Sequence, residues 1–218
     1  MTRDVQKLYS ARFSESDLRR KNRVWEVLCR DFFQKYVGLS DTVVDLGAGH
    51  CEFINNIRCG RKYAIDLSEH THEFAGDGVS VLRTKSTDIA TLGDGTVDVV
   101  FASNFFEHLE SKADLLATLR EIHRILRTGG RLLILQPNIK YLHGSFWDFL
   151  DHHLPLSHLS MTEALELSDF SVLEVRPRFL PFTTKSALPQ SPLLVALYLK
   201  LPLSQRIMGR QMFIAATR

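Results

Sequence analysis

The chain has 218 residues, of which 44% are hydrophobic and 24% charged, and its formal net charge is +2. This length suits one α/β domain whose core is large enough to need no cross-links. Three cysteines without a CxxC pair indicate neither a disulfide framework nor a zinc site. The polar start MTRDVQKLYS lacks the apolar segment of a signal peptide, so we expect a cytoplasmic globular protein.

The charges are unevenly distributed along the chain. Residues 175–218 contain seven Lys or Arg and no Asp or Glu, which leaves 20 basic and 25 acidic residues, a formal charge of −5, in residues 1–174. The most apolar part of this tail, PLLVALYLKLPL, is shorter than the roughly 20 residues that span a bilayer. The tail is therefore interpreted either as a core helix with a basic face or as a weak contact with anionic lipid.

Hydrophobic periodicity predicts an N-terminal helix over residues 16–37, after a polar, partly basic arm. Strands and helices then alternate. Strands are predicted at residues 41–46, 62–67, 79–84, 97–103 and 131–137. A short helix is predicted at 51–59, and a longer one is opened by a capping box at Ser111 and Asp114. The apolar stripe of the longer helix extends to Leu126, and Gly129 and Gly130 are expected to stop it.

The remaining third of the chain is less regular. Residues 138–159 show little periodicity, and Ser160 with Glu163 indicates another short helix. Strands are predicted at 170–182 and 211–217, and the connection between them holds a helix candidate. These two strands could pair antiparallel at one edge. The alternation favours a parallel, doubly wound α/β sheet with helices on both faces.

The stretch VVDLGAGHCEF, residues 43–53, places a glycine-rich loop at the carboxyl end of the first strand, where open α/β sheets bind ligands. Gly47 and Gly49 allow a tight turn and a close approach of the ligand to the backbone. A dinucleotide loop has its third glycine where this chain has Glu52, and a carboxylate there would repel phosphates. The loop therefore predicts a positively charged ligand without phosphate, and S-adenosylmethionine fits this description.

Polar side chains at the ends of four successive strands suit the parts of that ligand. Asp45 is placed to serve the methionine end, and Asp66 to accept both ribose hydroxyls. Leu67 could pack on the adenine, and Asp88 could accept a hydrogen bond from the adenine amino group. Asn104 would lie near the transferred methyl group. The complete predicted cofactor set is Asp45, Gly47, Ala48, Gly49, Asp66, Leu67, Asp88, Ile89 and Asn104.

The ordered motifs VVDLGAGHCEF, YAIDLS, STDIATLGDGTVDVVFASNFFEHL and ILRTGGRLLILQPN resemble those of class I S-adenosylmethionine-dependent methyltransferases. The resemblance covers residues 42–138 and is nearest to the small-molecule branch that includes quinone and sugar methyltransferases. Where the family has a third glycine, this chain has Cys51. The resemblance implies a Rossmann-like sheet with an antiparallel last strand, an N-terminal helix and a lid after the fifth strand.

The resemblance also implies one methyltransferase domain over residues 1–218. We expect an N-terminal helical arm at 1–40, a cofactor-binding core at 41–138, and an acceptor-side lid with the terminal strands at 139–218. The acceptor is expected to be a small molecule methylated at oxygen. The basic tail favours an anionic or lipid-linked acceptor, such as a sugar phosphate or glycolipid intermediate.

Methylation at a hydroxyl needs a general base. The segment YLHGSFWDFLDHHLPLSH supplies candidates, of which His152 and His153 come first, followed by Tyr141. No metal is expected, because adjacent histidines seldom point at one ion. The EHL sequence that contains Glu107 and His108 is compatible with either helix-start packing or chemistry.

Three other functions stay open at this point. The basic stretch LRRKNR, residues 18–23, keeps an RNA, DNA or protein acceptor possible, although SNFF at the end of the fourth strand differs from the Asn-Pro-Pro-aromatic motif of amino-directed nucleic-acid enzymes. A non-catalytic methyltransferase-like partner protein would carry the same fold, but the intact acidic set argues against it. The missing third glycine disfavours a nicotinamide-dependent oxidoreductase.

Overall fold

The computed structural model describes residues 15–182 and 191–218. The predicted basic arm up to residue 14 lies outside the described residues. The seven strands of the sheet are β1 Thr42–Leu46, β2 Arg61–Ile65, β3 Val79–Leu82, β4 Val97–Ser103, β5 Leu126–Pro137, β6 Ser171–Leu180 and β7 Gln211–Thr217.

The strand order is β3-β2-β1-β4-β5-β7-β6. Neighbouring strands from β3 to β5 pair in parallel, whereas β7 runs antiparallel to both β5 and β6. The order reverses between β1 and β4, so the carboxyl end of β1 lies at the switch point where open α/β sheets bind ligands. The predicted Rossmann-like sheet with one antiparallel strand is confirmed.

The helices that cover the sheet are α1 Glu15–Asp31, α2 Glu52–Asn56, α3 Thr71–Phe74, α4 Lys112–Ile125, α5 Ile139–Leu142, α6 His158–Glu166, α7 Pro192–Lys200 and α8 Pro202–Met208. Short 3₁₀ helices lie at Phe33–Tyr36, Phe106–His108 and His143–Asp148. Among the described residues, none of these helices combines the length and the apolar character needed to cross a membrane.

Each face of the sheet has its own core. The face covered by α4 and α6 is mainly aliphatic. The face covered by α1 and α2 is strongly aromatic, because Trp25, Phe33 and Phe53 pack around Phe101 of β4. The rings of Phe53 and Phe101 stack with their centroids 3.8 Å apart. This stacking fixes α2, and therefore the loop before it, against the end of the sheet.

Three of the predicted boundaries that differ from the structure have a local cause. Helix α1 ends at Asp31, because Phe32 leaves the helical region with φ −131°, and a 3₁₀ turn follows. Helix α4 ends at Ile125 rather than at the glycines, and Leu126 already pairs with Val97 as part of β5.

Gly129 and Gly130 therefore lie inside β5, where the pairing with β4 is irregular. Gly129 has φ +75°, and a Cβ atom on Gly130 would lie 2.8 Å from the carbonyl oxygen of Arg127. These glycines allow a kink in the strand instead of stopping a helix. The third correction concerns α6, whose N-cap is Ser157, with Ser160 as the second member of the capping box.

Candidate active site

The loop after β1 depends on residues with positive φ. Gly47 has φ +72°, and an added Cβ atom there would lie 2.5 Å from Cδ2 of Phe105. Gly49 has φ +50° with no atom within 4 Å of an added Cβ, so this turn borders open space. Cys51, where the resembled family has glycine, also adopts the left-handed region, with φ 59°. The backbone needs a glycine-like conformation there, and a small buried side chain accepts it at a cost of about 1–2 kcal/mol.

Acidic side chains converge on this loop. Asp45 is 3% exposed, and its carboxylate accepts a hydrogen bond of 3.3 Å from the amide of Ile54. Burial raises the pKa of Asp45 well above its usual range, and the negative charges of Glu52 and Asp66 raise it further. Glu52 forms an ion pair of 2.8 Å with Lys21 of α1.

Asp66, directly after β2, connects two loops. One of its carboxylate oxygens accepts from the amide of Gly49 and the other from the amide of Ser68, each at 2.8 Å. The carboxylate therefore fixes the glycine loop against the turn that follows β2. Together, Asp45, Glu52 and Asp66 place three carboxyl groups at the loop, and a cationic ligand bound there would favour their charged forms.

A cavity of about 1190 Å³ lies at the carboxyl ends of β1, β2 and β4. Seven of the nine predicted cofactor residues line it: Asp45, Gly47, Ala48, Gly49, Asp66, Leu67 and Asn104. The other two lie outside the lining. Asp88 is exposed, and Ile89 is buried in the core with its amide bonded to Glu121 at 2.7 Å. In this segment the lining residues are Thr84, Lys85, Ser86 and Thr87.

Asn104, after β4, lies in the left-handed region with φ 47°. Its backbone amide donates to the carbonyl oxygen of Leu135 at 2.8 Å, and its side-chain Nδ2 donates to the hydroxyl oxygen of Ser103 at 3.0 Å. Asparagine tolerates this conformation better than most residues with a Cβ atom. The turn therefore places Asn104 among the lining residues at the end of the central strand.

The three predicted bases have different surroundings. His153 is exposed and lines the cavity. His152 is 8% exposed, lies outside the lining, bonds through Nδ1 to the carbonyl oxygen of Phe146 at 2.9 Å and stacks on Phe149. Tyr141 also lies outside the lining, with its ring parallel to that of His158.

Sequence reasoning gave too little weight to the residues that follow β4. His108 lines the cavity, and its Nδ1 lies 2.8 Å from the carbonyl oxygen and 3.5 Å from a carboxylate oxygen of Asp151. Glu107 is 1% exposed, and burial raises its pKa to about 7. The EHL sequence was the available signal, but its partner Asp151 lies 43 residues further along the chain.

The α1 helix contributes a wall that the sequence did not predict. Leu18, Lys21 and Trp25 line the cavity on one side, while Leu150 and Asp151 line it on the lid side. The cavity therefore extends from the glycine loop to the segment after β5. One continuous space can hold two ligands side by side.

Residues 44–134 match the family of methyltransferase domains. A SAM-dependent methyltransferase from Archaeoglobus fulgidus is 18% identical with a TM-score of 0.68, over 90% of this chain and 94% of that one. A Haloferax volcanii complex between a methyltransferase activator and its methyltransferase gives 22% identity and a TM-score of 0.67, over 93% of each chain.

The geranyl diphosphate C-methyltransferase of Streptomyces coelicolor, solved with Mg²⁺, geranyl diphosphate and S-adenosyl-L-homocysteine, is 18% identical with a TM-score of 0.62. That match covers 89% of this chain and 77% of the other. No curated protein matches the chain by sequence. At these identities the structural likeness shows a common fold, and the matched family describes the segment from β1 to β5.

Proposed function

We propose that this chain, whose residues 44–134 match a methyltransferase domain, is a class I S-adenosylmethionine-dependent methyltransferase that methylates a small-molecule acceptor at oxygen. One observation carries the proposal: the glycine loop and the acceptor-side residues His108, Leu150 and His153 share one cavity of about 1190 Å³. Ligand pockets commonly measure about 300–1,000 Å³, so this volume suits a cofactor together with a small acceptor. In the proposed division, residues 41–138 hold the cofactor and residues 139–218 cover the acceptor.

The residues at the glycine loop fit S-adenosylmethionine. Asp45, Glu52 and Asp66 provide negative charge for a cationic ligand, and the open space at Gly49 permits a close approach to the backbone. We assign Asp45 to the methionine end and Asp66 to the ribose hydroxyls. Asn104 belongs beside the reacting end, and Leu67, 38% exposed, offers an apolar surface for the adenine. When bound, the cofactor supplies an electrophilic methyl group on a positively charged sulfur.

Asp88 and Ile89 remain part of the proposed adenine side. Asp88 lies in the segment whose neighbours Ser86 and Thr87 line the cavity. A turn bonded from the amide of Asp88 to the carbonyl oxygen of Lys85, at 3.1 Å, holds this segment together. The proposed contact of the Asp88 side chain therefore requires a change in this turn when the cofactor binds.

His153 is the base that we favour for the acceptor hydroxyl. It would accept the hydroxyl proton on a ring nitrogen while the acceptor oxygen takes the methyl group, so that the S–CH₃ bond breaks and the sulfur leaves as a neutral thioether. Its exposed side chain among the lining residues supports this role. The backbone amide of His153 donates to the carbonyl oxygen of Glu107 at 2.8 Å, which anchors the base beside the end of β4. His152 packs beneath it, against Phe146 and Phe149.

The acceptor is proposed to be anionic or lipid-linked. Helices α7 and α8 expose six large apolar side chains: Leu193, Leu194, Leu197, Leu201, Leu203 and Ile207. Residues 175–218 carry seven basic side chains and no acidic one. Of these basic residues, the exposed Lys200 and Arg206 lie in the same two helices, and a surface with both apolar and basic groups suits anionic lipid headgroups or a lipid-linked substrate. An RNA or protein acceptor is the alternative, and the basic residues 18–23 of α1 are the observation that favours it.

Calorimetric titration tests the cofactor site. S-adenosylmethionine and S-adenosylhomocysteine should bind the purified protein in the micromolar range, and NAD should not bind. Asp66→Ala should weaken binding about a hundredfold, the equivalent of about 2.7 kcal/mol. Asp77→Ala, an exposed acid in the turn before β3, is the matched control and should bind normally. Absence of binding in folded protein would remove the catalytic proposal and favour a non-catalytic partner.

The acceptor is found by incubating cell extract with methyl-labelled cofactor and identifying the labelled product. With that acceptor, His153→Gln should lower kcat by about 10²–10⁴-fold without changing the cofactor affinity. His152→Gln and Tyr141→Phe test the other two predicted bases under the same conditions. Full activity in all three variants would show that no predicted base is used.

Co-sedimentation tests the lipid contact. The protein should pellet with vesicles that contain phosphatidylserine at low salt, and binding should fall as salt rises. Exchange of Leu197 and Leu203 for Ser should abolish this binding, whereas the same exchange of Leu39, an exposed leucine outside α7 and α8, should not. No pelleting of the unchanged protein at low salt would remove the lipid version of the acceptor proposal.

A further inference from the structure

Three ligand-type side chains meet where β4 ends against the lid. Glu107 and His108 belong to the 3₁₀ helix after β4, and His152 comes from the segment after β5. Each offers one ligand atom, and these three atoms lie within 4.8 Å of one another. We propose that Glu107, His108 and His152 bind one divalent first-row transition metal ion beside the methyl-transfer cavity.

The hydrogen bonds at Nδ1 of His108 and His152 are of the kind that metal-binding histidines make. Nδ1 of His108 faces two oxygens of Asp151, at 2.8 and 3.5 Å, and Nδ1 of His152 faces the carbonyl oxygen of Phe146 at 2.9 Å. An oxygen acceptor at Nδ1 requires the proton there, so in the neutral ring Nε2 carries the lone pair. Metal-bound histidines almost always donate their other ring N–H to a carbonyl or carboxylate in this way.

The carboxylate is supported from behind as well. Glu107 is 1% exposed, and Gln136 beside it is fully buried. With the side-chain amide of Gln136 turned so that both of its atoms find partners, its nitrogen donates to a carboxylate oxygen of Glu107 at 3.3 Å and its oxygen accepts from the Glu107 backbone amide at 3.2 Å. A buried carboxylate is costly unless a cation or several donors compensate its charge. With Asp151 also 6% exposed, the cluster holds two acids that a divalent cation would neutralise.

The donor set selects the class of metal. Two imidazoles and one carboxylate suit zinc, iron(II), manganese or cobalt, whereas magnesium and calcium prefer oxygen ligands alone. Donors at about 2.0–2.2 Å from one ion lie roughly 3–4 Å apart, so small side-chain rotations would close the cluster.

The expectation of no metal rested on the adjacent pair His152 and His153. These two residues do not share the cluster: His152 joins it from the interior, and His153 lines the cavity instead. The other two ligands, Glu107 and His108, come from a helix more than 40 residues earlier. The EHL sequence supplies two ligands at one strand end, and the lid folds the third onto them.

Cobalt(II) titration of chelator-treated protein tests the site without any need for an acceptor or for turnover. We expect one equivalent to bind and to give visible d–d absorption bands without the near-ultraviolet charge-transfer band of a thiolate. Calorimetry with Zn²⁺ should give the same stoichiometry, and excess Mg²⁺ should not displace it. Glu107→Gln and His108→Gln should each weaken binding at least tenfold, whereas His153→Gln, the neighbouring histidine outside the cluster, should leave it unchanged.

Circular dichroism and S-adenosylmethionine affinity show whether each variant remains folded. Because Glu107 is buried, the half-buried His108 provides the decisive variant if Glu107→Gln unfolds. The proposal is overturned if cobalt gives no specific bands, if folded His108→Gln binds as tightly as the unchanged protein, or if His153→Gln weakens binding equally. These results do not depend on the proposed base or on the acceptor.

Discussion

The cavity has two sides, which we propose hold the cofactor and the acceptor, and these two sides are built differently. The cofactor side takes its residues from the ends of adjacent parallel strands, and backbone conformation at Gly47, Gly49 and Asn104 shapes it. On the acceptor side, His108 after β4 meets Asp151 and His153, which lie more than 40 residues later in the chain. Strand register fixes the first arrangement, whereas long-range contacts of the lid fix the second.

The lid nevertheless has defined anchors. The amides of His153 and Leu154 both donate to the carbonyl oxygen of Glu107, at 2.8 and 3.1 Å. Leu154 and Leu156 are buried in the aliphatic core beneath the sheet, 7% and 4% exposed. A segment with little regular structure therefore holds its position through two hydrogen bonds and two leucines. Variants that act on one side only would show whether the two sides are independent.

The largest effect is expected from Gly47→Ala. Its Cβ atom would lie 2.5 Å from Phe105 at φ +72°. Backbone strain and overpacking together should lower the free energy of unfolding by about 2–5 kcal/mol and abolish cofactor binding. Gly49→Ala is the control, because only strain applies there, and it should lose about 1–2 kcal/mol. Urea denaturation and calorimetry measure both, and equal losses would contradict the close packing at Phe105.

Leu156→Ala acts on the acceptor side. Removing this buried side chain should cost about 2–3 kcal/mol of unfolding free energy. Because the lid loosens while the glycine loop stays intact, acceptor turnover should fall and S-adenosylmethionine affinity should remain within about threefold. Leu159→Ala, exposed at 59% in the next helix, should change neither. A parallel loss of cofactor affinity in Leu156→Ala would show that the two sides are coupled.

Asp45→Asn separates stability from binding on the cofactor side. The pKa of Asp45 is raised above its ordinary value of 3.8 by burial and by Glu52 and Asp66. Ionisation of Asp45 is therefore penalised in the folded state. The contribution of Asp45 to the free energy of unfolding is complete below pH 3.8, and it is lost as pH rises through the folded pKa. Asn removes this penalty and can still accept from Ile54.

The variant should thus unfold at higher urea than the unchanged protein at pH 7, with a smaller difference near pH 4. Its affinity for S-adenosylmethionine should fall about tenfold or more, about 1.4 kcal/mol, because the cationic ligand loses a carboxylate partner. Denaturation at both pH values and calorimetry at pH 7 measure the two effects. A variant less stable at pH 7 would show that the carboxylate contributes more through bonds than it costs.

Lys21→Ala should have the smallest effect. Its ion pair with Glu52 is 2.8 Å long, and the two side chains are 25% and 12% exposed. Solvent screening limits such a partly exposed pair to about 0.5–1 kcal/mol. The exposed Arg20→Ala is the control and should change stability by less than about 0.5 kcal/mol. A loss of several kcal/mol would mean that α1 depends on this contact to cover the cavity.

The elements that the sequence predicted correctly are those whose signals are local. Strand β4 has the predicted bounds, and Ser111 caps α4 through the amide of Asp114 at 3.1 Å, as the capping box indicated. The prediction was wrong where one signal fits two local structures. Two glycines after an apolar stripe predicted the end of a helix, but these glycines lie inside β5 and allow a kink there. Pairing of Leu126 with Val97 outweighed helical continuation there.

By itself, then, the sequence determined the order of strands and helices, the positive-φ loop after β1 and the acidic residues that follow β1 and β2. Periodicity, glycine and capping residues act over a few neighbours, so they can be read directly. Only the tertiary structure decided that His108 meets Asp151 and His152, that His153 reaches the cavity, and that Asp88 and Ile89 lie outside its lining. These outcomes depend on how the lid packs onto the end of β4, and the buried contacts that fix this packing join residues far apart in the chain.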